Sequence, residues 1–441
     1  MRIISTAIAV TALAAVCSCS VYKEYSRPEM QGLEDLYGLE CIDSTSIAQI
    51  GWRDFFTDPM LQSLIEKGLS DNPDIRTAAQ RVIEAEAALS TARLALFPSV
   101  AISSSASLAN ENNGYSIAPS ASWEIDLRGS LLNSRRKAAA NLEQSEIWHR
   151  SVETEIVASI AKAYYTLQML DKKLAISRQT ADSWKENVRI MKAMKEAGMT
   201  NEASVSQTEA NAFSIEASLY DLKYQINQIE NSLCLLIGQT PQSINRSEFS
   251  LAAIGENLLY GVPSQLLAHR PDVQWAELEL RKAFYDTNIA RASFYPSVKL
   301  NGSLGWSSSV DVLTSLIAEA SETVFNAGRV RAGVKTAQAK QEEALIAFKN
   351  ALLTAGNEVN DAIAKCEAAR GKADLRIQQI DDLQSAVRRT QELMHNSGAT
   401  YLEVLTAQQS LLSAQLLQVS DRYDEIDGLI SLYRALGGGA E

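Results

Sequence analysis

Along most of the chain apolar residues recur at helical spacing, and in a few short windows the spacing drops to two. Trp52 to Ser70 (WRDFFTDPMLQSLIEKGLS) predicts a short helix after a turn at Asp58-Pro59. Asn72-Pro73 starts the next helix, with Asn72 as N-cap and Pro73 in the first turn. That helix runs to Phe97, where Pro98 stops it. Alternation follows. Val100, Ile102, Ala106 and Leu108 share a face with Ser104, and Ala101, Ser103, Ser105 and Ser107 take the other. NENNG, Asn110 to Gly114, is a turn, and Tyr115 to Ile125 alternates again. A proline-free run from Leu131 to about Ala197 then predicts one helix roughly 100 Å long at 1.5 Å per residue, broken at Gly198. A return helix covers Asn201 to Ile237 and ends at Gly238.

The same order repeats. Pro271 to Val298 aligns without a gap on Pro73 to Val100, 198 residues earlier, and nine of the 28 positions are identical. In the copy, Val298, Leu300, Leu304 and Trp306 oppose Lys299, Asn301 and Ser303. Its return strand, about Thr314 to Phe325, alternates poorly and is placed only by its symmetry partner. A long helix is expected over Arg329–Ser397, a break at Gly398, and a return helix over Tyr401–Leu436 before Gly437 to Gly439. The return helices carry 3-4 seams: Val205, Thr208, Ala212, Ile215, Leu219, Leu222, Ile226, Ile229, Leu233 and Leu236 in one, and in the other Leu405, Leu412, Val419, Ile426 and Tyr433 beside Leu402, Leu416, Tyr423 and Ile430. Such seams predict antiparallel coiled-coil hairpins with tips at Gly198 and Gly398. Each short helix then stacks end to end with a return helix, so that the two together match the long one.

The division expected from the sequence is a signal peptide at 1–18, a tether and short helix at 19–71, a first repeat at 72–238, a link at 239–269 and a second repeat at 270–441. Alternation alone favours ordinary soluble hairpins with one buried face. Strands of about ten residues, lipid on one side and water on the other, read the same way. Two hairpins cannot close a barrel, and an open edge in lipid leaves backbone groups unpaired, so a membrane barrel would have to be shared between chains.

Composition narrows the choices. Aromatic residues are 7% of the 441-residue chain and there are nine prolines, as suits long helices. The net charge of −12 argues against nucleic acid. Arg2 and the apolar run Ile3 to Val16 form a targeting segment too short to span a membrane. It ends in LAAVCSCS. A cysteine after small residues resembles a lipoprotein signal. Cys19, after Ser18, fits better than Cys17, which directly follows Val16. Ser20 resembles a residue that does not retain a lipoprotein in the inner membrane. Cys41, Cys234 and Cys366 have no metal-ligand spacing and read as packing residues. His149, His269 and His395 stand far apart, and neither a metal site nor a catalytic constellation is expected.

At this point the chain resembles the TolC-like outer-membrane factors, the outer membrane efflux proteins, in their lipidated OprM-like branch. The resemblance rests on CSVYKEYSRP, WRDFFTDPMLQSLIEKGLSDNPDI, FPSV and YPSV, WEIDLRG, LLAHRPDVQWAELEL, FNAGRVRAG, GATYLEVLTAQQSLLSAQ and LYRALGGG. It implies a membrane α+β fold. Three chains, four strands each, build a 12-stranded β-barrel in the outer membrane, which continues into a 12-helix periplasmic α-barrel of coiled-coil hairpins. It implies a homotrimer anchored by lipid on Cys19, with no other cofactor, serving as the exit duct of a tripartite efflux pump. A periplasmic adaptor would dock at Gly198, Met199 and Thr200 and at Gly398, Ala399 and Thr400. An inner-membrane transporter of the resistance-nodulation-division type would drive drugs or similar small molecules through.

In that branch the closed aperture has a leucine and, four residues on, an aspartate. Here these positions hold Leu402 and Thr406, so the acid is missing. Glu403 is the neighbouring acid, turned about 100° away on the helix. Phe97, Trp123, Tyr295 and Trp306 lie near strand ends, placed either in aromatic girdles or in packing beneath the barrel. Thr200 and Thr400 are the expected caps of the return helices. Two alternatives stay open: a duct for peptides, metals or polypeptides, and a lipid-anchored periplasmic coiled-coil scaffold. The strands and the FPSV and YPSV junctions argue against the scaffold.

Overall fold

The computed structural model describes residues 24–28, 51–107, 114–249, 270–307, 313–321, 328–395 and 401–438. Cys19, the loop 108–113 and the second tip, Gly398 to Thr400, lie outside them.

Among the described residues twelve elements follow in the order α1 (Trp52–Phe55), α2 (Pro59–Asp71), α3 (Pro73–Leu94), β1 (Ser99–Ser107), β2 (Gly114–Ile125), α4 (Ser130–Glu196), α5 (Glu202–Leu236), α6 (Pro271–Ala292), β3 (Ser297–Ser307), β4 (Leu313–Ser321), α7 (Arg329–His395) and α8 (Tyr401–Ala435). The duplication is visible in the lengths. α3 and α6 have 22 residues each, α4 and α7 have 67, and α5 and α8 have 35. The first-repeat helix stops at Leu94 rather than at the expected Phe97. The residue before a proline is pushed out of the helical region, and the chain unwinds through tighter turns in which the Phe97 amide bonds Leu94 O at 2.9 Å.

Contacts divide the chain into two compact units, each drawn from both repeats. The first holds the sheet with the adjoining helical segments, residues 78–149 and 271–352, and Tyr25 with its neighbours. Its four strands lie in the order β1-β2-β3-β4, all antiparallel, with β1 and β4 at the edges. Helix α4 pairs with α6 through Lys137 and Asp286 at 2.7 Å and through Gln144, whose amide reaches Trp275 O at 3.2 Å and Glu279 at 2.9 Å. Arg27 bonds Glu277 at 3.3 Å and lies over the Phe348 ring, while Tyr25 meets Phe284 edge-on.

The second unit holds residues 150–249 and 353–438 with α1 and α2. Its core gathers Phe55, Phe56, Leu61, Ile65, Ile160, Tyr164, Leu233, Ile237, Ile426 and Tyr433, all buried. Phe55 stacks on Tyr433 with ring centres 4.2 Å apart. The α5 seam behaves as its spacing predicts: all ten positions are buried or half-buried. In α8 every seam position but Leu402 is likewise covered. Helix α8 brings acids to the bases of its neighbours. Asp427 meets Lys365 and, at 3.0 Å, Lys162. Asp421 meets Arg376 at 2.9 Å, and Glu425 meets Arg370 at 2.9 Å. Gly428 allows α7 and α8 to close up, since a Cβ there would stand 2.7 Å from Cys366 Sγ. Cys366 is a packing residue, and burial pushes its thiol up to about 11.

The expected end-to-end stacking occurs twice in this unit, through residues 198 apart. Asn72 accepts from the Asp74 amide at 2.8 Å and the Ile75 amide at 3.2 Å, capping α3. Its own amide donates to Leu236 O, the last carbonyl of α5, at 2.8 Å. Arg270 stands at the same place in the copy. It donates to Ala435 O, the last carbonyl of α8, at 2.8 Å, and pairs with Glu358 at 2.7 Å. The first part of the link, 239–249, packs on α4 and α5: Arg246 bonds Asp171 at 2.5 Å and Glu230 at 2.7 Å.

Candidate functional site

Register fixes what each face of the sheet carries. Val100 pairs with Ala121, Ala121 with Gly302, and Gly302 with Leu316. Side chains alternate between faces along a strand and match across strands. One face therefore holds Val100, Ile102, Tyr115, Ile117, Trp123, Val298, Leu300, Leu304, Trp306 and Leu316. The other holds Ser99, Ser103, Ser105, Ser116, Ser120, Ser122, Asn301, Ser303 and Ser315. Strand β4, whose pattern was too weak to read in the sequence, joins this scheme with Ile317 on the polar face opposite Asn301.

The apolar face lies open: Val100 is 75% exposed, Ile102 74% and Leu316 86%. An uncovered apolar surface of this kind marks contact with a partner or a membrane. On the polar face the hydroxyls satisfy one another. Ser105 and Ser116 meet at 2.8 Å, Ser303 and Ser315 at 2.7 Å, and Ser122 donates to Asn301 at 2.7 Å. Phe97, Trp123, Tyr295 and Trp306 are all exposed rather than packed beneath the sheet. Trp123 Nε1 donates to Leu96 O at 3.0 Å, tying β2 to the turn between α3 and β1. Among the described residues no helix is long and apolar enough to cross a membrane.

At the first tip Gly198 has φ +72°, and the bonds Gly198 N to Lys195 O at 2.9 Å and Met199 N to Met194 O at 2.8 Å form a Schellman turn. Met199 is exposed. The cap of α5 is Asn201, not the expected Thr200: Asn201 Oδ1 accepts from the Ser204 amide at 2.9 Å. Asn and Thr are both good caps, and the turn's exit places Asn201 at the boundary. Below the tip, Lys195 meets Glu202, Lys192 meets Glu209 at 2.7 Å, and Lys185 meets Glu216 at 2.7 Å, holding α4 against α5. The carboxylates of Glu202 and Glu216 raise the pKa values of Lys195 and Lys185.

On α8, Val404 and Leu405 turn into the hairpin, where Leu405 joins Trp184 and Ala212. Leu402 does not. It is 65% exposed, so its place in the seam row is not the observed one. Thr406 is also exposed and its hydroxyl donates back to Leu402 O at 2.8 Å. Glu403 is exposed beside them.

A four-stranded sheet with one oily and one hydroxylated face, open at both edges and joined to duplicated helical hairpins, defines a channel-forming membrane protein assembled from several chains. The family model described as "Outer membrane efflux protein" matches residues 64–239 and 262–438, and the chain belongs to that family. It is 28% identical over 416 residues to the probable outer membrane lipoprotein SilC of Salmonella typhimurium, covering 89% of each. It is 30% identical over 468 residues to the toluene efflux pump outer membrane protein TtgC of Pseudomonas putida (98% of this chain, 95% of the other). A crystal structure of CusC superposes with a TM-score of 0.85 at 25% identity, covering 96% of this chain and all of that one. The fold is that of the trimeric outer-membrane channels, in which three chains complete a twelve-stranded barrel and an α-barrel of helical hairpins. The protein is an outer-membrane efflux channel of a tripartite pump.

Proposed function

We propose that the homotrimer is a passive exit duct for small molecules such as drugs and solvents, engaged by a periplasmic adaptor and driven by an inner-membrane transporter of the resistance-nodulation-division type. The observation that carries this reading is the two-faced sheet with free edges at β1 and β4. Closed with two copies, it puts its apolar face to lipid and its hydroxyls to water. Among the described residues the polar face bears no Cys, Met or His, so the wall offers no soft ligands to relay a metal ion. TtgC, named for toluene efflux, fits that cargo class. CusC of Escherichia coli K12, 27% identical over 447 residues, is named for cation efflux, and metal cargo is the competing outcome. Detergent-purified trimers should conduct in planar bilayers, and cross-linked cells should yield adaptor and transporter with the channel. A folded trimer that never conducts would sink the duct. Recovery of an ATP-driven exporter would replace the engine.

The tip residues Gly198, Met199 and Thr200 and their copies Gly398, Ala399 and Thr400 form the adaptor-docking surface in this reading, and Leu402 narrows the aperture. Thr406 spends its hydroxyl on its own helix and supplies no charge there. Leu402→Ala should raise single-channel conductance, and an unchanged conductance would dismiss Leu402 as the gate. Lipid on Cys19 anchors the chain in the outer membrane, in line with the lipoprotein SilC. Mass spectrometry of the mature chain should show acylation that Cys19→Ala removes. The boundaries 1–18, 19–71, 72–238, 239–269 and 270–441 complete this reading.

A further inference from the structure

Among the described residues of the four strands, only Glu124, Lys299 and Glu319 carry charge. All three lie in one row. Glu124 on β2 stands opposite Lys299 on β3, and Lys299 stands opposite Glu319 on β4. Each projects from the hydroxylated face, so the row runs across three neighbouring strands at one level, near the sheet end that joins the helices.

The three groups are not equivalent. Lys299 Nζ is 3.7 Å from Glu124, whose other oxygen takes Arg128 at 3.1 Å. Arg128 is held back toward the helices by Tyr295 O at 3.4 Å. Glu124 is thus largely covered, with 27% of its side chain exposed, against 51% for Lys299. Glu319 is exposed and makes no ion pair among the described residues. Water in the lumen therefore meets mainly one lysine and one glutamate from each chain.

We propose that this row, repeated three times around the trimer, is a charge-balancing belt of the barrel, with Arg128 and Lys299 offsetting the two carboxylates so that the duct favours neither sign of charge. A wall with fixed charge of one sign would enrich counter-ions and exclude co-ions over a Debye length, about 10 Å at 0.1 M salt. Alternating the signs along the row confines each field to its neighbours, which suits a conduit for cargo of mixed charge. The inference rests on the duct reading, since it requires the hydroxylated face to line the lumen.

Reversal potentials of purified full-length trimers in a KCl gradient test it. Lys299→Gln should shift selectivity toward potassium and Glu319→Gln toward chloride, each by about two- to threefold in permeability ratio at about 0.01 M salt, where the Debye length is about 30 Å. Both shifts should vanish near 1 M. Lys299→Arg, which keeps the charge, should behave as wild type. The tip is untouched in all three variants, so a difference of opposite sign between the two glutamine variants reports on the row. Conducting variants whose reversal potentials match wild type at low salt overturn the belt and leave the duct standing. A wild-type trimer that does not conduct removes both.

Discussion

Asn72 does two jobs with one side chain: it caps the helix that begins after it and takes up a carbonyl of the helix that ends beside it. Arg270 does the second job in the copy with a longer reach and a charge-assisted bond. Replacing Asn72 with Ala loses the cap and orphans Leu236 O, a loss of about 1–2 kcal/mol on capping grounds. Circular dichroism melting of Asn72→Ala trimers in detergent should show the lower midpoint, and unchanged melting would deny the staple. Asp427 sets a pH limit. Burial alone would raise its pKa, but hydrogen bonds from Lys365 and Lys162 outweigh it and hold the carboxyl below the ordinary aspartate value. A depressed folded-state pKa gives stability that is present above the unfolded value, near 3.9, and lost as pH falls through the folded one. Wild type should therefore lose more thermal stability than Asp427→Asn below about pH 4. Parallel acid-melting curves would refute this. The cap was legible in the sequence because Asn-Pro before a helical run is a local signal. The Arg270 staple was not, because its partner is a backbone carbonyl 165 residues away.

Periodicity carried the helices because their packing surface is continuous. A 3-4 seam ten residues deep leaves few other arrangements, and α5 buries or half-buries every member of it. Leu402 breaks the pattern at the tip, where a leucine at seam spacing faces outward while Val404 and Leu405 turn in. Spacing does not tell which of two adjacent apolar rows meets a neighbour. The strands were legible as alternation, except β4, where Ile317 on the polar side blurs the period. The charged row escaped notice because it exists only in the register between strands. Helix ends were marked by glycine for a physical reason. Gly238 sits at φ +65°, and a Cβ there would lie 2.8 Å from Asp71 O. Gly238→Ala should cost at least about 1–2 kcal/mol from the left-handed backbone alone. It should also loosen the joint between α2 and α5. Gly333→Ala, in open space within α7, should leave melting unchanged or raise it. Equal melting of the two variants would contradict the account.

For the whole molecule, a duplicated chain supplies four strands with two bare edges, and trimerisation removes those edges. The oily face should then be the one that tolerates no charge. Leu316→Arg should impair outer-membrane assembly, by about 2–4 kcal/mol if the site lies near the bilayer midplane, whereas Ser315→Arg on the opposite face should still yield trimers. Native gels of outer-membrane fractions would decide: equal trimer yields would refute the assignment of faces, and loss with Ser315→Arg alone would reverse it. Neither the number of copies nor the cargo is written in alternation or seams. The first comes through the family's fold. The serines of the polar face add one consequence. Their hydroxyls are already committed to each other and to neighbouring carbonyls. Each hydroxyl proton engaged in this way leaves its oxygen free to accept, so the face would meet water and passing donors chiefly as an acceptor surface.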